Sequence, residues 1–453
     1  MMKQWMTGVA FMTLLPAAAL AQDVAQPPEY NQAARDASLN RPLTEMPLTG
    51  TPNGITVMQG HNSVGFPAPS LVEGQPIETR APEKKDDVAA FAGQTRAPYR
   101  KSVDYKVATL AEGLSSPWSM AFLPSGSILI TEKTGTMRVL GKDGKLSAPV
   151  SGVPKVNYIG QVGLLDVALD NKFATNKRIF FSFSDPVGEK DSQIVLARAT
   201  FDEKANALSD VKVIYRVTPA LDAKAQMANE GGRIAIAKDG TIFMTVGDRS
   251  KSPPWLVAQR LDTALGKVIH VTADGVAASN NPFIGKPGAL PEIWSIGHRS
   301  EEGLAFDTHG RLWETEHGPR GGDELNTPEP GKNYGWPVIT HAIDYPGETI
   351  GEGQVARQGM EQPHYYWDPV IAPSGLAFYK GNLFPAWKNS VFVGGLRGQA
   401  LYRLELRGTS VVAEEPLLVD LKLRIRDVRV GPDGAVYALS DGPGAKLLKL
   451  TPK

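Results

Sequence analysis

The run from Trp294 to Pro337, WSIGHRSEEGLAFDTHGRLWETEHGPRGGDELNTPEPGKNYGWP, places Arg299, the acids Glu316, Asp323 and Glu324 and a small-residue Gly318-Pro319 turn in one strand-loop-strand unit. A guanidinium grips planar anions through forked hydrogen bonds, while carboxylates beside a turn that brings main chain close to a ligand suit a hard cation. One unit can therefore hold an anion and a metal side by side. In LRIRDV, Arg424 and Arg426 flank Ile425, and the two-residue period of a strand turns both to the same side. Asp248 ends the run TVGD, where a carboxylate is either a turn former or a hydrogen-bonding group.

Other chemistries lack their signatures. The seven histidines include no pair at metal-binding helical spacing, although His317 is placed to reach a pocket, and there is no H-E-x-x-H, Walker loop, G-x-G-x-x-G or G-x-S-x-G. Cysteine is absent, which removes disulfides, thiolate catalysis and Cys-ligated zinc. With 48 basic and 48 acidic side chains in balance, nothing marks a nucleic-acid or anionic membrane partner, and a small molecule is the expected ligand.

The framework that must position these groups is legible from residue 103 onward. AFLPSGSILITE, ALDNKFATNKRIFFSFSD, AIAKDGTIFMTVGD, AFDTHGRLWETEHG, AFYKGNLFPAWKNSVFVGG and RVGPDGAVYALSD share one plan: an apolar strand, a turn, and a β-branched or aromatic strand ending in a small or polar residue. Their spacing suits four-stranded blades with insertions, so six units predict an all-β, six-bladed β-propeller over 103–453, with a ligand at one end of its axis. A strand near Tyr105 to Leu110 is expected to complete the blade containing Leu447 to Leu450. A sandwich or tandem β domains are the competing architectures.

Ahead of this lie two other segments. Residues 1–21 combine one lysine, a short apolar stretch and small residues at Ala19 and Ala21, the pattern of a secretory signal cleaved after Ala21. The apolar run is too short to span a bilayer, so a periplasmic or secreted protein is expected, without membrane insertion. Residues 22–102 are rich in Pro, Ala, Gln and charge without an apolar period and read as an extended arm or linker.

In order, GHR, GLAF, a Gly-Arg-Leu strand, E-x-G-P, GDELN and NYGWP, together with GQVGLL, GGR, APSGLAF and LRIRDV, resemble the soluble pyrroloquinoline quinone (PQQ)-dependent aldose dehydrogenases of the glucose/sorbosone dehydrogenase family, from about Val107 onward. The resemblance implies a cofactor site formed by Gln161, Arg299, Arg397, Arg424 and Arg426, with Asp248 nearby. It also implies a cofactor-associated calcium on the carbonyls of Gly318 and Pro319, and a second calcium with Glu324 and Tyr334 among its ligands. PQQ carries three carboxylates and a reactive ortho-quinone, which suits such a guanidinium cluster.

The sequence departs from that family at the base. Four residues before the Arg of GGR the family has a His that takes the proton of the sugar hydroxyl; here stands Asn229, an amide that can orient a hydroxyl but cannot act as general base. Glu230 is the neighbouring substitute, provided the segment is not a regular strand, in which adjacent residues face opposite ways. Ser300, Glu301 and Glu302 also replace an Asn and neutral residues, and Val370 a hydrogen-bonding Thr. Two added carboxylates would repel a trianion unless a cation compensates or they face elsewhere. The expected activity is PQQ-dependent oxidation of an aldose C1 hydroxyl to the lactone, with a soluble electron acceptor. A calcium-dependent lactonase and a non-catalytic carbohydrate- or quinone-binding propeller are the alternatives.

Overall fold

The computed structural model describes residues 68–224, 228–249 and 255–453; the expected signal segment, 1–21, lies outside them. Strand β1 (Tyr105–Ser115) opens the chain's sheet structure. The first blade is β2 (Pro117–Phe122), β3 (Ile128–Glu132) and β4 (Thr136–Leu140). The second is β5 (Leu164–Leu169), β6 (Arg178–Val187), β7 (Asp191–Asp202) and β8 (Ala207–Arg216), with β9 (Leu221–Asp222) on β7. The third is β10 (Gly231–Ile236), β11 (Ile242–Val246), β12 (Lys267–Val271) and β13 (Ile293–Ile296).

The fourth blade contains β14 (Glu301–Phe306), β15 (Leu312–Glu316), β17 (Asp323–Asn326) and β19 (Tyr365–Trp367), interrupted by a small ribbon of β16 (Arg320–Gly321) and β18 (Ala342–Ile343). The fifth is β20 (Pro373–Phe378), β21 (Ser390–Gly395), β22 (Ala400–Arg407) and β23 (Ser410–Leu417). The sixth, β24 (Ile425–Val430), β25 (Val436–Ser440) and β26 (Pro443–Pro452), takes β1 as its outer strand.

The innermost strands β2, β5, β10, β14, β20 and β24 touch one another in a closed ring, so the chain is the expected six-bladed propeller. Each of the six sequence units is the hairpin between an innermost strand and its neighbour, as in β10–β11 and β24–β25. Asp-Gly turns close those two, with Gly240 and Gly434 at φ +88° and +78°, a region open to glycine. The closing strand is also where the sequence places it: Val107 lies opposite Leu450 and Tyr105 opposite Pro452.

Apolar side chains point out of both faces of each blade because both faces are covered. The core is thus a ring of interblade layers, such as Leu129 and Met137 against Phe181 and Phe183 between the first two blades, or Phe392 and Leu401 against Val428 and Leu448 between the last two. Burying a side chain of this kind contributes about 1.5–3 kcal/mol, enough to dispense with disulfides.

Residues 68–102 lie against the outside of the ring. Ile77, Ala97 and Tyr99 join the layer between the fourth and fifth blades. Asp87 bonds His341 Nδ1 at 2.8 Å and Tyr366 Oη at 2.6 Å, and Asp368 accepts the Glu83 amide at 2.8 Å. Composition gives no hint of these pairings, which make the described part of the arm a strap along two blades.

A polar belt fastens the innermost strands around the axis. Arg233 of β10 lies flat on Trp118, its guanidinium carbon 3.9 Å from the ring centre, and donates to Asp427 (2.9 Å), to the Glu302 carbonyl (2.6 Å) and to the Arg426 carbonyl (3.0 Å). Arg429 spans Asp427 and Asp166 at 3.0 and 3.1 Å, while Asp166 also accepts the Ile234 amide at 2.8 Å and the Ser119 hydroxyl. Ser374 brings in the fifth blade by donating to the Ile425 carbonyl at 2.6 Å.

Candidate active site

Because strands within a blade are antiparallel, the start of an innermost strand and the end of the next strand lie at the same end of the propeller. Gln161, Glu230, Arg299 and Arg424 precede β5, β10, β14 and β24; Lys133, Asp248, His317, Arg397 and Asp441 follow β3, β11, β15, β21 and β25. One topological rule thus collects residues more than 300 positions apart at one mouth.

The contacts there are continuous. Gln161 accepts the Asn229 amide at 3.0 Å, Asn229 Nδ2 donates to Asp248 Oδ1 at 2.9 Å, and Trp336 Nε1 donates to Asp248 Oδ2 at 2.7 Å. Arg299 lies 5.3 Å over the Trp336 ring and donates to the His317 carbonyl at 2.8 Å. His317 is pushed down to about 3 by burial, then by Arg299, with Arg426 and Arg424 adding to the effect, so the positive field of the mouth favours the neutral ring. Arg424 and Arg426 do share a side, since their Nε atoms bond the two oxygens of Asp441 at 2.9 and 3.1 Å. Burial alone would raise Asp441, but Arg426, Arg424 and Lys133 together hold it well below the usual carboxylate range. Arg397 is half-buried, and its Nε is enclosed without a hydrogen-bond acceptor.

Asn229 and Glu230 do not alternate as strand residues. Asn229 has φ +51°, and Gly231 and Gly232 have φ +67° and +94°, so the chain bends before β10 settles into register. The amide of Asn229 turns to Asp248, while the Glu230 carboxyl is buried within the electrostatic reach of Glu302, Arg249, Lys133 and Arg426. One Glu230 carboxyl oxygen is buried without a hydrogen-bond partner. Burial first, and Glu302 second, push Glu230 up to about 8. The two acids after GHR part company. Glu302 is held by Arg426 at 3.1 Å, whereas Glu301 faces Glu316 and Lys267.

The loop after β15 fits a cation next to this mouth. A β-carbon on Gly318 would lie 2.0 Å from the Gly321 carbonyl oxygen, so only glycine permits that closure. Asp323 fixes the loop by accepting the amides of Gly318 (2.9 Å), Ile371 and Ala372 (both 2.7 Å), leaving Gly318 and Pro319 with main-chain carbonyls as their available donors.

A second oxygen-rich cluster lies inside the fourth blade. Register places Glu314 and Glu316 of β15 opposite Asn326 and Glu324 of β17. Ligand atoms of His298, Glu314 and Glu316 lie within 4.8 Å of one another, and both Glu314 carboxyl oxygens are buried without partners. Burial and the repulsion of Glu316 raise Glu314 and Glu324 well above the usual carboxylate range, the electrostatic condition that a divalent ion relieves. Tyr334 stacks on His298 at 4.8 Å, but its hydroxyl donates to the Thr327 carbonyl and accepts the Glu329 amide at 3.0 Å. Any part it takes in metal binding falls to its main chain.

Lys133, Arg249, Asp441 and Glu314 escape the sequence reading. The first three stand after a second strand, the same position as Asp248 and His317, and that positional rule could have found them.

The fold and site define a six-bladed β-propeller whose mouth gathers guanidiniums beside a glycine-closed turn. Residues 114–449 match the Glucose / Sorbosone dehydrogenase family, and the chain belongs to it. It is 39% identical to the aldose sugar dehydrogenase YliI of Escherichia coli (strain K12) over 77% of this chain and 93% of that protein. A solved glucose dehydrogenase superposes with a TM-score of 0.72 at 43% identity, covering 76% of this chain and 99% of the other. The PQQ-bound aldose sugar dehydrogenase of Streptomyces coelicolor superposes with a TM-score of 0.63 at 29% identity, covering 78% and 99%. Among the described residues no helix is long and apolar enough to cross a membrane.

Proposed function

We propose that the protein oxidises the C1 hydroxyl of an aldose, or a similar alcohol, to the lactone, passing hydride to a bound PQQ whose reactive carbonyl is polarised by calcium. The observation that carries this reading is the gathering of arginines at one mouth, where Arg299 bonds the His317 carbonyl, Arg424 and Arg426 share Asp441, and the Nε of Arg397 is buried without an acceptor. Those guanidiniums would hold the cofactor's carboxylates, Gln161 and Asp248 would frame its edge, and Gly318 and Pro319 would hold the ion.

Asn229, fixed by Asp248, orients the substrate hydroxyl. The neighbouring Glu230 accepts its proton when ionised, so turnover rises with pH as Glu230 loses its own. Glu316, Glu324 and Glu314 would supply oxygen ligands to a second, structural calcium inside the fourth blade, with His298 beside them. The pattern of residues 1–21 supports export to the periplasm, where a soluble acceptor would reoxidise the cofactor.

The lactonase reading requires a substrate carbonyl to reach an acid-lined metal. Here the His298 and Glu314 side chains have no exposure and Glu316 has 5%, which disfavours it. Adding PQQ and calcium to the purified protein separates the possibilities. An absorbance shift that bleaches with aldoses is expected; a shift without bleaching points to a binding protein, and lactone hydrolysis without a shift to a hydrolase.

A further inference from the structure

The strap contributes no strand to any blade, yet Glu83, Lys84 and Asp87 within it gather at the turn over 318–322. The blade itself holds the start of that turn, since Asp323 accepts the Gly318 amide at 2.9 Å. The residues that follow are held through the strap. Glu83 accepts from Arg320 Nη2 at 2.5 Å. The amides of Glu83 and Lys84 donate to the two carboxyl oxygens of Asp368 at 2.8 and 3.2 Å, and that carboxyl lies so close to Gly321 that a β-carbon there would come within 2.6 Å of it. Asp87 accepts from His341 Nδ1 at 2.8 Å and from Tyr366 Oη at 2.6 Å, with the two rings stacked at 3.8 Å. His341 and Ala342 back Gly322, whose β-carbon would lie 3.0 Å from main-chain atoms of both.

The strap is pinned where it makes these contacts. Lys84 is 3% exposed and its Nζ donates to the Gly353 carbonyl at 2.6 Å, a burial that lysine accepts only when it is paired. The Asp87 and His341 side chains are 4% and 1% exposed. Glycine loses more conformational freedom than any other residue on being fixed, so a turn containing Gly318, Gly321 and Gly322 depends on outside contacts to keep its carbonyls in one place. We propose that Glu83, Lys84 and Asp87 are positioning residues for the cation turn: the strap fixes Arg320, Gly321 and Gly322 so that the Gly318 and Pro319 carbonyls are held ready for the ion. This inference rests on the functional reading above and adds to it a segment outside the propeller.

The three residues do not contribute equally. The Arg320 and Glu83 side chains are 37% and 28% exposed, so water screens that pair and its loss costs little. Asp87 is buried and serves two donors, one on the residue that backs Gly322 and one on the strand that carries Asp368 to its place beside Gly321. Partners that orient the groups around a metal are worth about 10- to 100-fold in its affinity, and the larger share of that effect belongs to Asp87.

The test uses the full chain, with Glu314→Gln present throughout to silence the acid cluster of the fourth blade. Calcium affinity is measured by calorimetry with PQQ present, and amide exchange over 318–322 is followed in the calcium-free protein. Asp87→Ala should weaken calcium by about tenfold or more and speed exchange in the turn. Glu83→Ala, which loses only the half-exposed pair and leaves the fold intact, should weaken it by no more than about fivefold. Ile77→Ala loosens the strap where it joins the layer between the fourth and fifth blades, and should lower the melting temperature while calcium affinity stays unchanged. Calcium affinity unaltered in both Asp87→Ala and Glu83→Ala, or an equal loss in Ile77→Ala, overturns the positioning role. Absence of calcium binding before any strap residue is changed, with exchange over 318–322 still faster in Asp87→Ala, overturns the cation reading instead and leaves the strap a purely structural brace.

Discussion

The axial belt and the mouth above it use the same residue types to opposite ends. In the belt, Arg233 and Arg429 each meet their acids within 3.1 Å, and the carboxylates of Asp166 and Asp427 are filled by guanidinium, hydroxyl or amide donors. At the mouth, oxygen and nitrogen atoms of Glu230, Ser300 and Arg397 are buried without hydrogen-bond partners. A buried polar atom left unmatched costs about 1–3 kcal/mol. The lesson is that the arginines and acids of the belt match one another, whereas the mouth keeps polar atoms that a ligand could engage.

The comparison breaks most visibly at Arg233. Arg233→Ala should destabilise the fold by about 3–5 kcal/mol, because buried Asp427 and Asp166 would be left with Arg429 as their one counter-ion; a denaturant midpoint close to the wild type would show that the belt is not what holds the blades. Next in size is Asn229→His, which supplies a titratable base where Asp248 can orient it. Aldose turnover should rise by about 10²-fold or more with the melting temperature unchanged. No gain would mean that the mouth performs a different reaction.

Calcium should matter less than Arg233 but measurably. Saturating the acid cluster of the fourth blade at about a hundred times its dissociation constant would stabilise the chain by about 2.7 kcal/mol, and Glu314→Gln should abolish most of that calcium-dependent rise in Tm. The smallest effect is expected at Arg397. Arg397→Ala should leave stability within about 0.5 kcal/mol while weakening PQQ binding by about tenfold, whereas an equal loss in both would place Arg397 with the belt.

Much of the architecture could be read from the chain. Hairpin turns such as KDG and PDG announce inner strand pairs, and the strand expected near Tyr105 to Leu110 lies, as β1, beside β26. The clustering of Arg299, Arg424 and Arg426 follows once those hairpins are arranged around an axis. Other features depend on local exceptions. The period-two rule opposes Asn229 and Glu230, but the positive φ of Asn229 and two glycines suspends it. Arg233 looks like one letter of a motif until its partners from other blades are seen. The strap formed by residues 68–102 rests on single pairs such as Asp87 with His341, which a low-complexity composition does not disclose.

The pairing of β1 with β26 has a consequence for biogenesis. Since the first strand waits for the last, the sixth blade is finished only when Pro443–Pro452 pair with Tyr105–Ser115. A nascent polypeptide therefore holds its opening strand unpartnered until the final stretch of chain arrives to take it up.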